Sequence, residues 1–569
     1  MKKLICILLI LIFTVTSAGA LVYDGQAPYF GSYLFLYNAS DSVISVAPLA
    51  STSTQSSLAY SWMEDGEAEE AVQVEWSPER EISRPNGHVC RDVPASKSGI
   101  CYSVTSSAEP QIGDRITYLV SNPKTGEQYY QDFIYLVAGD YCNILVESDV
   151  TGAPKISAAS AQTLATEFDT NIQPFMVENF GDYYTYIGLL DEYTLQYSKN
   201  TGMDILLYDI QDGYNGTTVK NYVGGFVDLT DLISADLGGN GNGRGILHID
   251  IYPLMGTTGT PNVTKAYSTI VHEFQHQISY SDSLYDFFIG LTDEYINETW
   301  WNEAFSMAAE HLYGGKPLAS RINGYNQVGN NSPLRNGMIL NYNDYAENNS
   351  DVASNYGISY LFGQYLRCQT KYLPGGGNQI YRTILEQVGT DYTAILQGLY
   401  SIGYDYVPAT LEELYRNFRM ATILKYPTGP YGFAGEEAFD GLIDNAYTGT
   451  ATIRLKPRAA VVLKNPRNYV PETGLSCVAF TERGPYSYAI NPVSDMVVNL
   501  TEGERPECGV TLYAAGYRAD GSLCGITIPT AIEDEDNWVY ILPSDTVSRK
   551  FFLVAADGSM RPFAYAETR

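Results

Sequence analysis

Positive charge is scarce in this chain: 34 Lys and Arg stand against 65 Asp and Glu over 569 residues, for a formal net charge of −31. A surface so acidic repels polyanions, which argues against nucleic acid as a partner and disfavours anionic membrane surfaces. Beyond the first twenty residues no segment is long and apolar enough to span a bilayer, so no stable membrane span is expected. There is no C-x-x-C pair to suggest redox or structural-zinc chemistry, and no G-x-S-x-G elbow or P-loop. The glycine-rich stretch Gly238 to Gly245 precedes a strand instead of joining a strand to a helix, the wrong context for a phosphate cradle. Internal repeats and low-complexity segments are lacking too, and histidine occurs only five times.

The chain does hold ample core material: 45% of residues are hydrophobic and 48 are tyrosine. It is too long for one core, and its length predicts roughly three or four domains. Residues 1–20 read as a secretory signal, with Lys2 and Lys3 as the charged region, Leu4 to Val15 as the apolar core and Ala18-Gly19-Ala20 as the cleavage site, so a secreted or cell-surface protein starting near Leu21 is expected. Cys6 stands at the start of the apolar region, the wrong end for a lipoprotein anchor. Seven cysteines remain, and an exported chain permits disulfides; Cys90 with Cys101 and Cys508 with Cys524 are the expected bridges. An odd count leaves at least one thiol free.

The predicted fold class is α+β, with a helical catalytic domain between two β domains. From residue 21 to 155, β-branched and aromatic residues alternate between turn residues, as in a β-sandwich. Near Ser157 the period becomes helical, with Leu164, Phe168, Ile172 and Phe175 spaced by four, four and three. The catalytic domain is placed at 156–425, with strands at Ile205 to Tyr208 and Ile246 to Tyr252 and mostly helix from Glu298 to Leu424. Alternation returns over 426–569, a C-terminal β domain.

His272-Glu273-Phe274-Gln275-His276 carries the chemistry. On a helix, residues four apart share a face, so two imidazoles can meet one zinc ion while Glu273 lies one step around, placed as a general base. Thr260-Pro261 predicts the helix start, a capping hydroxyl followed by proline. Val263, Tyr267, Ile270, Phe274 and Ile278 form an apolar stripe opposite the histidines, predicting one face on the core and the imidazoles toward a cleft. Two histidines and a neighbouring carboxylate are costly to bury without a metal, which argues against a purely structural pair.

A catalytic zinc needs a third protein ligand. The helix around Trp301-Asn302-Glu303-Ala304 offers Glu303 and Glu310, which share a face about 10 Å apart along the axis, so only one can bind the ion. Glu303, set among aromatic and small residues, is the candidate; Glu310 reads as a solvated helical carboxylate.

HExxH followed by this Trp-x-Asn-Glu-Ala-type helix resembles the gluzincin metallopeptidases, the thermolysin-like zincins with two His and one Glu on zinc. More closely, the chain is similar to the hyicolysin family of secreted zinc metallopeptidases over about Ser157 to Leu424. Further segments that carry this likeness are Leu164-Ala165-Thr166-Glu167-Phe168-Asp169, Tyr222-Val223-Gly224-Gly225-Phe226 and Tyr356-Gly357-Ile358-Ser359-Tyr360-Leu361-Phe362. The resemblance implies zinc on His272, His276 and Glu303, Glu273 as general base toward a zinc-activated water, and protein or peptide substrates. It also implies Tyr356 as oxyanion donor; His311 is a runner-up that reads better as a helix C-terminal histidine facing the dipole. The strand around Ile246 to Tyr252 is then the edge on which substrate pairs.

The chain departs from thermolysin four residues after the ligand glutamate, where an Asp that steadies a zinc histidine is replaced by Met307, so another acceptor must orient that ring. It also has no G-x-M-E-N segment to hold a free amine, which favours internal cleavage over N-terminal trimming. Asp209, Asp212 and Asn215 could hold a structural calcium, but they fit no complete EF-hand and a turn explains them better. The rival reading is a catalytically inactive zincin-fold surface protein with adhesive β domains.

Overall fold

The computed structural model describes most of residues 110–293, 299–327 and 352–443, the segments 33–46 and 452–464, and, as backbone strands, short stretches between 72 and 92 and between 475 and 563. The chain divides into two units. One comprises Leu58–Ile322 with Ser359–Leu411; the other comprises Met1–Ser57, Asn323–Ile358 and Glu412–Arg569.

The first of these is built on a six-stranded sheet. Its strands are β1 (Arg115–Ser121), β2 (Gln128–Ala138), β3 (Cys142–Glu147), β4 (Met203–Tyr208), β5 (Gly225–Phe226) and β6 (Ile246–Asp250), in the order β5-β6-β4-β3-β2-β1. The β3–β4 and β4–β6 pairs are parallel and the others antiparallel. All residues of β4 and β6 are buried, as expected of parallel strands covered on both faces, whereas β1 is mostly open at its start.

The sheet curls until its two edges share one core. Tyr118 and Val120 of β1 and Phe226 of β5 belong to the same buried cluster as Phe133, Leu145, Leu206 and Tyr208. Phe133 meets Tyr118 and Tyr208 edge-to-face at 5.9 and 5.5 Å. The outer edge of β1 is covered at Leu119, whose N–H donates to Asn242 Oδ1 (3.1 Å) and whose carbonyl accepts from Asn242 Nδ2 (2.8 Å). A side-chain amide thus takes the hydrogen bonds a further strand would take. Inside the curl, Asp204 is neutralised by Arg244 at 2.7 Å and bonded by Tyr118 and Asn143, the full set of partners a buried carboxylate needs.

Helices cover the convex side. Ala158–Glu167 (α1), capped by Ser157, runs through a π-helical turn at Phe168–Ile172 into Gln173–Phe180 (α2). The wider turn keeps Phe168 and Ile172 on the buried face, which explains the sequence spacing of four. Phe168 stacks on Phe274 at 5.3 Å and so ties this helix to the HExxH helix.

The HExxH helix, α3 (Tyr267–Phe288), is preceded by a 3-10 turn at Val263–Ala266 capped by Asn262, whose Oδ1 accepts from Thr264 N at 3.1 Å. The start therefore falls two residues beyond Thr260-Pro261, because Asn262 is an equally good cap. Every residue from Thr269 to Ser281 is buried. α3 is thus a central helix, and the expected division into a core face and a cleft face is replaced by burial all round: the sheet packs on one side and α4 (Thr299–Gly314) on the other. Helices Ala319–Gln327, Val352–Gln369, Ile380–Leu385, Tyr392–Ser401 and Leu411–Leu424 follow, as the helical period predicted.

The strands expected to form one N-terminal β domain over residues 21–155 find their partners elsewhere. Tyr33–Asn38 pairs with Ala460–Lys464 and Leu475–Gly484 in the other unit. Val72–Val74 pairs with Asn221–Val223, Val89–Asp92 with Thr194–Lys199, and β1 to β3 form half of the six-stranded sheet. The boundary expected at residue 155 therefore lies within one unit. Alternation reveals a strand but not its partner, which is chosen by long-range packing. In the other unit the described residues after Ile453 are rich in antiparallel strands, including a three-stranded and a four-stranded sheet between Val493 and Phe563.

Cys142 and Cys368 are buried thiols, and burial together with Asp169 pushes the Cys142 thiol well above its usual range. The side chains of the two expected disulfides lie outside the described residues.

Candidate metal centre

One helical turn separates His272 from His276 on α3, and α4, packed alongside, brings Glu303 to the same point. His272 Nε2 is 3.2 Å from His276 Nε2 and 3.4 Å from Glu303 Oε2, and His276 Nε2 is 3.7 Å from Glu303 Oε1. These are the only three His, Cys, Asp or Glu side chains among the described residues whose ligand atoms cluster in this way, all within 4.8 Å of one another. Ligand atoms about 2.0–2.2 Å from a tetrahedral zinc stand about 3.3–3.6 Å apart, so the donor set and its spacing fit that ion.

Electrostatics agree with the geometry. The three side chains are 1%, 3% and 3% exposed. Burial pushes the His276 imidazole down to about 4, which keeps it neutral with a lone pair to offer. Burial opposes ionisation of Glu303, but the imidazoles of His276 and His272 outweigh it and hold the carboxyl below its usual range. A neutral His276 and an ionised Glu303 are protonation states that metal ligation requires of those two side chains.

Both imidazoles have polar partners besides one another and Glu303. His272 Nδ1 lies 2.9 Å from Glu310 Oε1, and Ser268 Oγ donates to Glu310 Oε2 at 2.8 Å. Ser306 Oγ, which donates to Gln275 Oε1, lies 3.2 Å from His276 Nδ1 and 3.3 Å from its Nε2. Tyr280 stacks on the His276 ring at 5.7 Å. The solvated-carboxylate reading of Glu310 is therefore overturned, since its carboxylate is engaged at both oxygens and its side chain is only 16% exposed. Sequence reasoning missed Ser268, Ser306 and the engagement of Glu310. Their positions, four before His272 and three and seven after Glu303, put them on the right helix faces, but nothing in the spacing says which nitrogen each would meet.

Glu273 is 1% exposed and runs against the edge of the sheet. A Cβ on Gly225 would lie 2.9 Å from Glu273 Cγ, 2.9 Å from the His248 carbonyl oxygen and 3.0 Å from Thr269 Cγ2, so only glycine lets β5 pass this close to α3. Gly225→Ala is accordingly expected to destabilise the protein by about 1–3 kcal/mol, as overpacking does, and to displace Glu273; thermal unfolding of the variant checks the loss of stability.

The substrate edge expected at Ile246 to Tyr252 needs correction. β6 is paired on both sides, with β4 and β5, and the terminal strand of the sheet is β5. A two-residue strand is too short to show in an alternation pattern.

Tyr356, the expected oxyanion donor, is buried on the helix Val352–Gln369. His311 is buried in the last turn of α4, as its helix C-terminal reading expects, and its Nδ1 lies 2.7 Å from the Tyr360 hydroxyl. The calcium candidates spend their oxygens on turns: Asp209 Oδ1 accepts from Gln211 N, Asp212 Oδ1 from Tyr214 N, and Asn215 Oδ1 from the N–H groups of Thr217, Thr218 and Val219.

No family model matches the chain. Over 289 residues it is 31% identical to the neutral metalloprotease ShpI of Staphylococcus hyicus, a match covering 50% of this chain and 58% of that protein. The chain thus spans a little over half the length of this relative, and the similarity supports a relationship to the metalloproteases.

Proposed function

We propose that this chain is a secreted zinc-dependent metalloendopeptidase of hyicolysin type, with a thermolysin-like arrangement around a His272–His276–Glu303 ligand set. The observation that carries the reading is the convergence of two imidazole nitrogens and a carboxylate oxygen at 3.2–3.7 Å in a buried site on an HExxH helix. Similarity to a neutral metalloprotease supports the same class.

A zinc ion bound there supplies a Lewis acid that makes water a competent nucleophile near neutral pH. The protein's own contributions are separable from it. His272, His276 and Glu303 hold the ion, two neutral donors and one anion leaving it a net positive charge. Glu273, next to His272 and beside β5, takes the proton from the attacking water and returns it to the leaving amine. β5, the terminal strand, runs beside Glu273 and so brings the end of the sheet next to the ligand set. Endopeptidase action is favoured because no G-x-M-E-N segment is present to hold a substrate's free amine. Export is supported by the N-terminal signal pattern, and among the described residues no helix is long and apolar enough to cross a membrane.

The test is zinc analysis and cleavage of unfolded casein by the purified protein, before and after chelation. One zinc per chain and cleavage lost on chelation and restored by zinc are expected. Zinc binding without cleavage, even after removal of the N-terminal segment, would favour the inactive zincin-fold binding protein instead.

A further inference from the structure

We infer that Glu310 is the positioning residue of this metal centre, fixing the tautomer and orientation of His272. The inference rests on the metal reading above and adds a residue to it. An imidazole that ligates through Nε2 must carry its proton on Nδ1, and that proton needs an acceptor. His272 Nδ1 has one at 2.9 Å in Glu310 Oε1, on the side of the ring away from His276 and Glu303.

Three further observations make this a built arrangement. Glu310 is itself anchored, because Ser268, one helical turn before His272, donates to its other oxygen at 2.8 Å. Glu303 and Glu310 lie seven residues apart, two turns on one face of α4, so a single helix grips one imidazole at both nitrogens: Glu303 lies 3.4 Å from Nε2 and Glu310 lies 2.9 Å from Nδ1. Met307, at the position where thermolysin-like enzymes carry the orienting Asp, is fully buried and has no oxygen to offer.

Glu310 thus acts through His272 and does not touch the ion. The presence of only five histidines makes the test tractable. Histidine-15N-labelled wild type, Glu310→Ala, Glu310→Gln and Glu310→Asp would be compared for zinc affinity by chelator competition and for the imidazole N–H resonances. We expect Glu310→Ala to weaken zinc binding about 10–100-fold and to lose a strongly hydrogen-bonded Nδ1–H resonance present in the wild type. Glu310→Gln, which keeps an acceptor oxygen, should recover part of both.

Unchanged zinc affinity and an unchanged resonance in folded Ala and Gln variants would overturn the inference, as would a lower melting temperature of the metal-free protein with zinc affinity intact, the mark of a merely structural role. If Glu310→Ala does not fold, the Gln and Asp variants carry the comparison. A wild type that binds no zinc would overturn the metal reading itself, an outcome separate from equal binding by wild type and variants.

Discussion

Glu273→Gln is expected to keep one zinc per chain and to lose casein cleavage by about 10²–10⁴-fold, the range a positioned general base contributes. The amide matches the carboxylate in shape, so the close approach of β5 at Gly225 is preserved. It cannot accept a proton from water or return one to a leaving amine. None of the three clustered ligand atoms belongs to Glu273, so the metal should stay. Zinc analysis and progress curves on the same preparations separate the cases. Activity within about threefold of wild type would remove Glu273 from the mechanism, and loss of zinc would mean that the residue holds the site together instead of working in it.

The second large effect is expected at Glu303. Glu303→Ala should leave two neutral imidazoles, with Nε2 atoms 3.2 Å apart, and no anion to balance a divalent cation. Zinc content after dialysis should fall well below one per chain, with activity falling in step. Stability gives an independent readout. A ligand present at about a thousand times its dissociation constant stabilises the native state by roughly 4 kcal/mol, so chelation should lower the melting temperature of the wild type clearly and that of the variant hardly at all. Equal zinc affinity in wild type and variant would show that the third ligand lies elsewhere.

The helical part of the site was legible because its signals are short-range. Four-residue spacing in His272-Glu273-Phe274-Gln275-His276 is a property of any α-helix, and so is the placement of Glu303 among apolar neighbours on α4. Glu310 was misread for the same reason: its spacing from Glu303 was visible, but a helix face does not say whether solvent or an imidazole lies opposite. The extent of burial of α3 was also hidden, because its polar residues Ser279, Ser281 and Gln277 look like a solvent face yet serve internal contacts, as when Ser281 accepts from Tyr184 N and Gln277 donates to the Tyr184 carbonyl.

The β regions divide differently. Alternation over Asp114 to Val120 and Asn143 to Glu147 marked strands, but assigned them to a separate sandwich, because strand partners are set by contacts distant in sequence. Tyr33–Asn38 illustrates the point, with partners more than 400 residues away.

By itself the sequence determined an acidic chain with an N-terminal export pattern, a mixed helical and β composition, and an HExxH helix followed by a glutamate-bearing helix. All of these follow from composition or from intervals within one helix. Only the tertiary structure decided that β1 to β3 complete the sheet beneath α3, that β5 and not β6 is its terminal strand, and that α4 presents Glu303 to one nitrogen of His272 and Glu310 to the other. Those choices depend on how separate elements pack, and packing brings together groups whose positions along the chain carry no mark of one another.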